Sequence, residues 1–142
     1  MRRRADYPAE EVITTRWADQ DAYGHINNVV YFSYVDTAVN SYLMRATGVD
    51  TRELAAIGVV AHSSCDFMRE LQYPSEVAVG LLVTRLGNSS ITYELAVFQG
   101  EHESPAAVVR FVHVYVDRDT RKSAPIPELI REAAQRLTIP TE

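Results

Sequence analysis

From residue 28 to about residue 46 the chain contains neither glycine nor proline, and Phe32, Val35, Val39, Tyr42, Leu43 and Ala46 recur at helical spacing. Gly48 follows at the position of a left-handed cap. This spacing predicts one long helix with an apolar stripe, and no other stretch of the chain matches it in length. The remainder has the character of strands. Residues 11–17, 59–68, 76–86, 90–99 and 107–117 are rich in β-branched and aromatic side chains. Gly87-Asn88 makes a tight connection between two of them, while Pro105 and the polar stretch 100–103 separate the next two. Residues 51–57 read as a short second helix, and Pro127-Glu128 opens a short terminal one carrying Leu129, Ile130, Ala133, Ala134 and Leu137. An antiparallel sheet must have its apolar face covered, and only one long helix is available to cover it. The expected class is α+β, a five-stranded antiparallel sheet wrapped around one long helix, with a short C-terminal helix.

At 142 residues the chain is expected to form a single domain, residues 1–142, with one core. A formal charge of −5 supplies no basic stripe to neutralise a phosphate backbone, so nucleic acid is not an expected partner. Cys65 is the one cysteine, which rules out an intrachain disulfide and a multi-cysteine zinc site. His62 and His113 stand singly within strand patterns and His102 in a polar turn; no metal and no cofactor is expected. The opening Met1-Arg2-Arg3-Arg4 is followed by no apolar run, and no stretch reaches the length of a membrane span. A cytoplasmic location with no membrane partner is the expectation. Asn88-Ser89-Ser90 fits the glycosylation pattern but reads as a polar turn.

The chemistry concentrates in residues 17–28, Trp-Ala-Asp-Gln-Asp-Ala-Tyr-Gly-His-Ile-Asn-Asn, which join the first strand to the long helix. A plain connection needs no such crowd of carboxylates, histidine and asparagines. The segment delivers Asp21 close to a helix N-terminus, where free amides and the positive dipole end favour negative charge. Those amides can hold an oxyanion while the dipole keeps a nearby aspartate ionised. There is no Gly-x-Ser-x-Gly elbow, phosphate loop or dinucleotide fingerprint.

This segment resembles the signature of the 4-hydroxybenzoyl-CoA-thioesterase group of hotdog proteins. In that group Asp-x-Asp-x-x-Gly, often followed by His-x-Asn-Asn, precedes a long helix with an aromatic pair, here Tyr31 and Tyr34. The resemblance implies a hotdog acyl-CoA thioesterase, with Asp21 as nucleophile or as general base to water. It implies that the backbone N–H of Asn28 polarises the thioester carbonyl, and that Gly24 allows close backbone approach at the turn. His25 joins these as a catalytic candidate. Tyr23, Asn27, Tyr31, Asn88, Ser89 and Ser90 are the candidates for contact with the acyl-CoA. Arg69, Arg85, Arg110 and Arg121 form the pool of cations for the CoA phosphates. His25 and Asn27 occupy the same register in plant acyl-carrier-protein thioesterases, which also place an asparagine where Tyr23 stands here. The resemblance further implies self-association as a homodimer, or a homotetramer or larger assembly, with Asp21 of one chain facing residues 62–67 of the other.

Simpler roles stand beside these. Asp19 fits a turn aspartate bonded to backbone amides, Asn28 fits a helix N-cap, and His25 suits a structural hydrogen bond as well as catalysis. Asp36 lies at the edge of the apolar stripe, where it is solvated, faces a partner, or assists Asp21. Cys65 reads as a small buried hydrophobe. The alternatives in function are an acyl-carrier-protein thioesterase and a noncatalytic acyl-thioester-binding protein. Hotdog hydratases carry a histidine five residues after the aspartate with a proline between; here His25 is four residues after Asp21 and the proline is absent.

Overall fold

The computed structural model describes residues 1–140. The chain forms β1 (Ala9–Ile13), α1 (Asn28–Thr47), β2 (Ala56–Phe67), β3 (Val77–Leu86), β4 (Ser90–Gln99), β5 (Ala107–Asp117) and α2 (Glu128–Gln135). The strands make one antiparallel sheet in the order β1-β3-β4-β5-β2. This is the expected α+β layout, with α1 across one face.

The core lies between α1 and that face. Tyr31, Tyr34, Val35, Ala38, Val39 and Leu43 are buried along α1. They meet alternate residues of the strands, including Val79 and Leu81, Tyr93 and Leu95, and Val109 and Phe111. Each fully buried Val, Leu or Phe among these contributes about 1.5–3 kcal/mol. The buried face is turned slightly from the predicted stripe: Phe32, Tyr42 and Ala46 are only partly buried at its margin. On the opposite face, Tyr7 lies over Gly80, where an added Cβ would come within 2.7 Å of the ring, and packs with Leu82 and Phe98.

Three local expectations are corrected. The first strand is Ala9–Ile13, set by its register with Val77–Leu81, and not residues 11–17. Residues 51–57 are not a helix: a single 3-10 turn at Thr51–Glu53 is capped by Asp50, and Ala56 and Ile57 already pair with Asp117 and Val116. The N-cap of α1 is Asn27, whose side-chain oxygen accepts from Val29 N–H at 3.0 Å, so Asn28 is the first helical residue instead. At the other end Gly48 takes φ 73° and donates its N–H to Met44 O, as predicted.

β2 is a 12-residue edge strand with a register break between Val60 and His62. Its outward side is open, with Val59, Val60 and Phe67 exposed. No helix among the described residues is long and apolar enough to cross a membrane.

Candidate active site

Residues 20–26 fold into a small closed loop. Gln20 and Ile26 form an isolated antiparallel bridge, Asp21 N–H donates to His25 O at 2.8 Å, and Gly24 N–H donates to Asp21 O at 3.2 Å. Gly24 takes φ 81°, which an L-residue adopts only with strain. Inside the loop, Asp21 Oδ1 accepts from Tyr23 N–H at 2.8 Å and His25 N–H at 3.1 Å. Asp21 Oδ2 has no partner among the described residues, and the side chain is half-buried.

Two backbone hydrogen bonds fix the ends of this loop. Ile26 is buried and donates its N–H to Leu71 O, while Asn27 N–H donates to Asp19 O at 2.9 Å. Asp19 itself is 1% exposed in its side chain. Its carboxylate accepts from Tyr34 OH at 2.7 Å, Arg16 N–H at 2.8 Å and Arg16 Nε at 3.0 Å. Burial pushes the Asp19 carboxyl up, but the Tyr34 hydroxyl and the Arg16 amide and guanidinium outweigh it and hold it below the usual carboxylate range. Asp19 is thus more than a turn aspartate, because it clamps the entire loop to α1.

After the cap, α1 begins with an open donor. Asn27 satisfies Val29 N–H and Val30 N–H, whereas the N–H of exposed Asn28 meets no acceptor among the described residues. Asp21, Gly24, His25, Asn27 and Asn28 therefore share one end of the fold. Tyr23 lies there too, 85% exposed. His25 Nε2 pairs with Glu70 Oε2 at 3.0 Å, a partner that nothing in the local sequence announces. Tyr31 is at the same end but buried: its hydroxyl accepts from Leu71 N–H and donates to Arg69 O, bracing the segment after β2.

Asn88, Ser89 and Ser90 lie elsewhere. Ser90 pairs with Val114, whereas Phe67, whose ring packs 5.0 Å from that of Tyr31, pairs with Ala107. The separation along β5 is roughly 20 Å or more at about 3.4 Å per residue, so one protomer does not join the turn to Asp21. Of the four arginines, Arg69 is closest in the chain to the site end and is tied to Ser104; Arg85, Arg110 and Arg121 are exposed. Asp36 is exposed and accepts from the Asn40 amide. Cys65 is half-buried, and burial pushes its thiol up to about 11. His62 and His102 are exposed, and no group of three or more metal-binding side chains occurs among the described residues.

A curled antiparallel sheet around one long helix, with an acidic loop closed onto that helix's N-terminus, defines a hotdog protein of the thioester-hydrolase class. The chain belongs to the Thioesterase-like superfamily, whose profile matches residues 15–134. Among solved structures, the PA5185 protein from Pseudomonas aeruginosa PAO1 is 43% identical, with a TM-score of 0.92 and 96% of each chain covered. A thioesterase from Thermus thermophilus, complexed with coenzyme A and Zn, is 32% identical with a TM-score of 0.76, covering 92% of this chain and 94% of that one. The 1,4-dihydroxy-2-naphthoyl-CoA hydrolase of Synechococcus elongatus is 26% identical over 141 residues, 92% of this chain and 96% of that protein.

Proposed function

We propose that the protein hydrolyses an acyl-CoA thioester to the free acid and CoA, with Asp21 as the central group and the start of α1 as the oxyanion site. The observation that carries this reading is the pairing of one carboxylate oxygen fixed by two amides, and the other free, with an unpartnered helix N–H. Water adds to the thioester carbonyl and the C–S bond breaks. Asp21 either removes the proton from that water or attacks first and is released by it. In both routes negative charge develops on the carbonyl oxygen, and in this reading the open Asn28 N–H donates to it; one such donor is worth about 2.7–4 kcal/mol of transition-state stabilisation. His25, held by Glu70, orients the loop. CoA as the carrier is supported by the CoA complex of the Thermus thermophilus relative and by the acyl-CoA named for the Synechococcus hydrolase.

The exposed edge of β2 supports a symmetric dimer in which two copies pair along that strand. Such pairing places β2 of one protomer beside the Asp21 end of the other and covers Val59, Val60 and Phe67. Sedimentation at assay concentration tests it, and a fully active monomer would remove it. The activity is tested by free-thiol release from a panel of acyl-CoAs, run with Asp21→Asn in parallel. Turnover of the best substrate with near-equal rates in the two proteins would overturn the assignment.

A further inference from the structure

The bonds inside the Asp21 loop give it a shape, but they do not fix its tilt over the start of α1. That is set from outside. Tyr31 and Tyr34 stand one turn apart on α1, three residues from each other, and both are buried. Each hydroxyl reaches the loop through one intermediary. Tyr34 holds the beginning, through the Asp19 carboxylate. Tyr31 holds the end: its hydroxyl accepts from Leu71 N–H at 3.1 Å and donates to Arg69 O at 3.4 Å, and Leu71 O accepts from Ile26 N–H at 3.2 Å. Residues 69–71 are themselves pinned, since Leu71 is fully buried and the N–H groups of Met68 and Arg69 both donate to Ala106 O. Between these fixed points Glu70 Oε2 meets His25 Nε2 at 3.0 Å, and His25 N–H donates to Asp21 Oδ1 at 3.1 Å. Burial holds the Tyr31 hydroxyl above its usual range, so it stays protonated and keeps both bonds.

We propose that residues 69–71 are a positioning strut for the Asp21 carboxylate, with Tyr31 fixing the strut to α1 and Glu70 fixing the loop to the strut through His25. Tyr31 and Glu70 are then positioning residues. The Tyr31 hydroxyl is enclosed with both partners made, and Glu70 acts on Asp21 across the His25 amide. The hydroxyl at residue 31 has no other use: the ring alone fills the core and packs 5.0 Å from the ring of Phe67. Glu70 is 64% exposed in its side chain. A pair so open to water adds little to stability, so its contribution is to geometry.

The consequence for rate rests on the reading of Asp21 given above. A misplacement of about 1 Å at a reacting group costs on the order of a hundredfold in rate. Asp21 must stand in register with the open N–H of Asn28, and both tyrosines hang from the helix that carries that N–H. Loop and amide are thereby referred to one rigid element.

Kinetics on the best acyl-CoA of a free-thiol panel, run well below each variant's Tm, test this. Tyr31→Phe should lower kcat by about tenfold or more and leave KM unchanged. Glu70→Leu should lower kcat in the same way with Tm unchanged, and Glu70→Gln, whose carbonyl oxygen still accepts from His25 Nε2–H, should keep the wild-type rate. Because both residues act through one strut, the loss in the double variant Tyr31→Phe/Glu70→Leu should fall short of the product of the single losses. A Tyr31→Phe protein that melts earlier but keeps its kcat, a Glu70→Gln protein as slow as Glu70→Leu, or losses that multiply in full would overturn the strut. If no CoA thioester is hydrolysed, or Asp21→Asn is fully active, the thioesterase reading fails by itself. Amide hydrogen exchange then still decides the strut: the N–H groups of Asp21 and Ile26 should exchange about tenfold faster in Tyr31→Phe than in the wild type, and equal protection overturns it.

Discussion

Replacing Tyr34 by Phe isolates the clamp that holds the Asp21 loop. The variant keeps the buried ring and removes one oxygen, the donor 2.7 Å from Asp19 Oδ2. The Asp19 carboxylate then remains 1% exposed with only Arg16 beside it. A hydrogen bond to a charged group contributes about 1.5–3 kcal/mol net. Because the Arg16 amide and guanidinium persist, about 2 kcal/mol is expected, or a fall in Tm of roughly 6–10 °C for a domain of this size. The sign with pH follows from the lowered Asp19 carboxyl. Stability linked to it is fully present above the unfolded carboxylate value of about 3.9 and is lost as pH falls through the lower folded value. Thermal melts of the two proteins between pH 7 and pH 3 should therefore show a constant gap down to about pH 5 that narrows below it. A gap under about 1 °C at pH 7, or one that widens on acidification, would refute the clamp.

Asp21→Asn should cut thiol release by about a thousandfold or more with a Tm near wild type, because the asparagine oxygen still accepts from Tyr23 and His25 N–H; a large loss of stability would make Asp21 a folding residue. Cys65→Ala should keep its activity, and alkylation of the wild-type thiol, pushed up to about 11 by burial, should be slow at pH 7 and accelerate toward that value; fast labelling at neutral pH would contradict its environment. His113, pushed down from 6.5 to about 4 by burial, takes up its proton more readily in the unfolded chain. Stability should therefore fall as pH drops from 6.5 to 4, by about 3 kcal/mol in all, and urea titrations of His113→Phe should lack that component.

Reading from sequence succeeds where the cause is local. The long helix and its Gly48 terminator follow from spacing and a cap that act within one turn, and Ser90–Gln99 and Ala107–Asp117 fall where turn residues bracket apolar runs. The Asp21 loop is legible for the same reason: its glycine, its aspartate and its amides lie within five residues of one another. Reading fails where a distant partner decides. β1 ends at Ile13 because β3 pairs no further, and residues 51–57 forgo a helix because β5 claims Ala56 and Ile57.

The same division runs through the site. Sequence by itself determined the kind of fold, the loop that carries Asp21 and the helix start it leads to, since periodicity, caps and turn chemistry are short-range. Tertiary structure alone decided that Tyr34 clamps Asp19, that Glu70 holds His25, that the Asn88–Ser90 turn stands at the far end of β5, and that His113 and Tyr115 close in on Gly58. Each of these depends on which side chain the folded chain sets opposite another, and a strand's two-residue alternation names the face a residue points to without naming what it meets there.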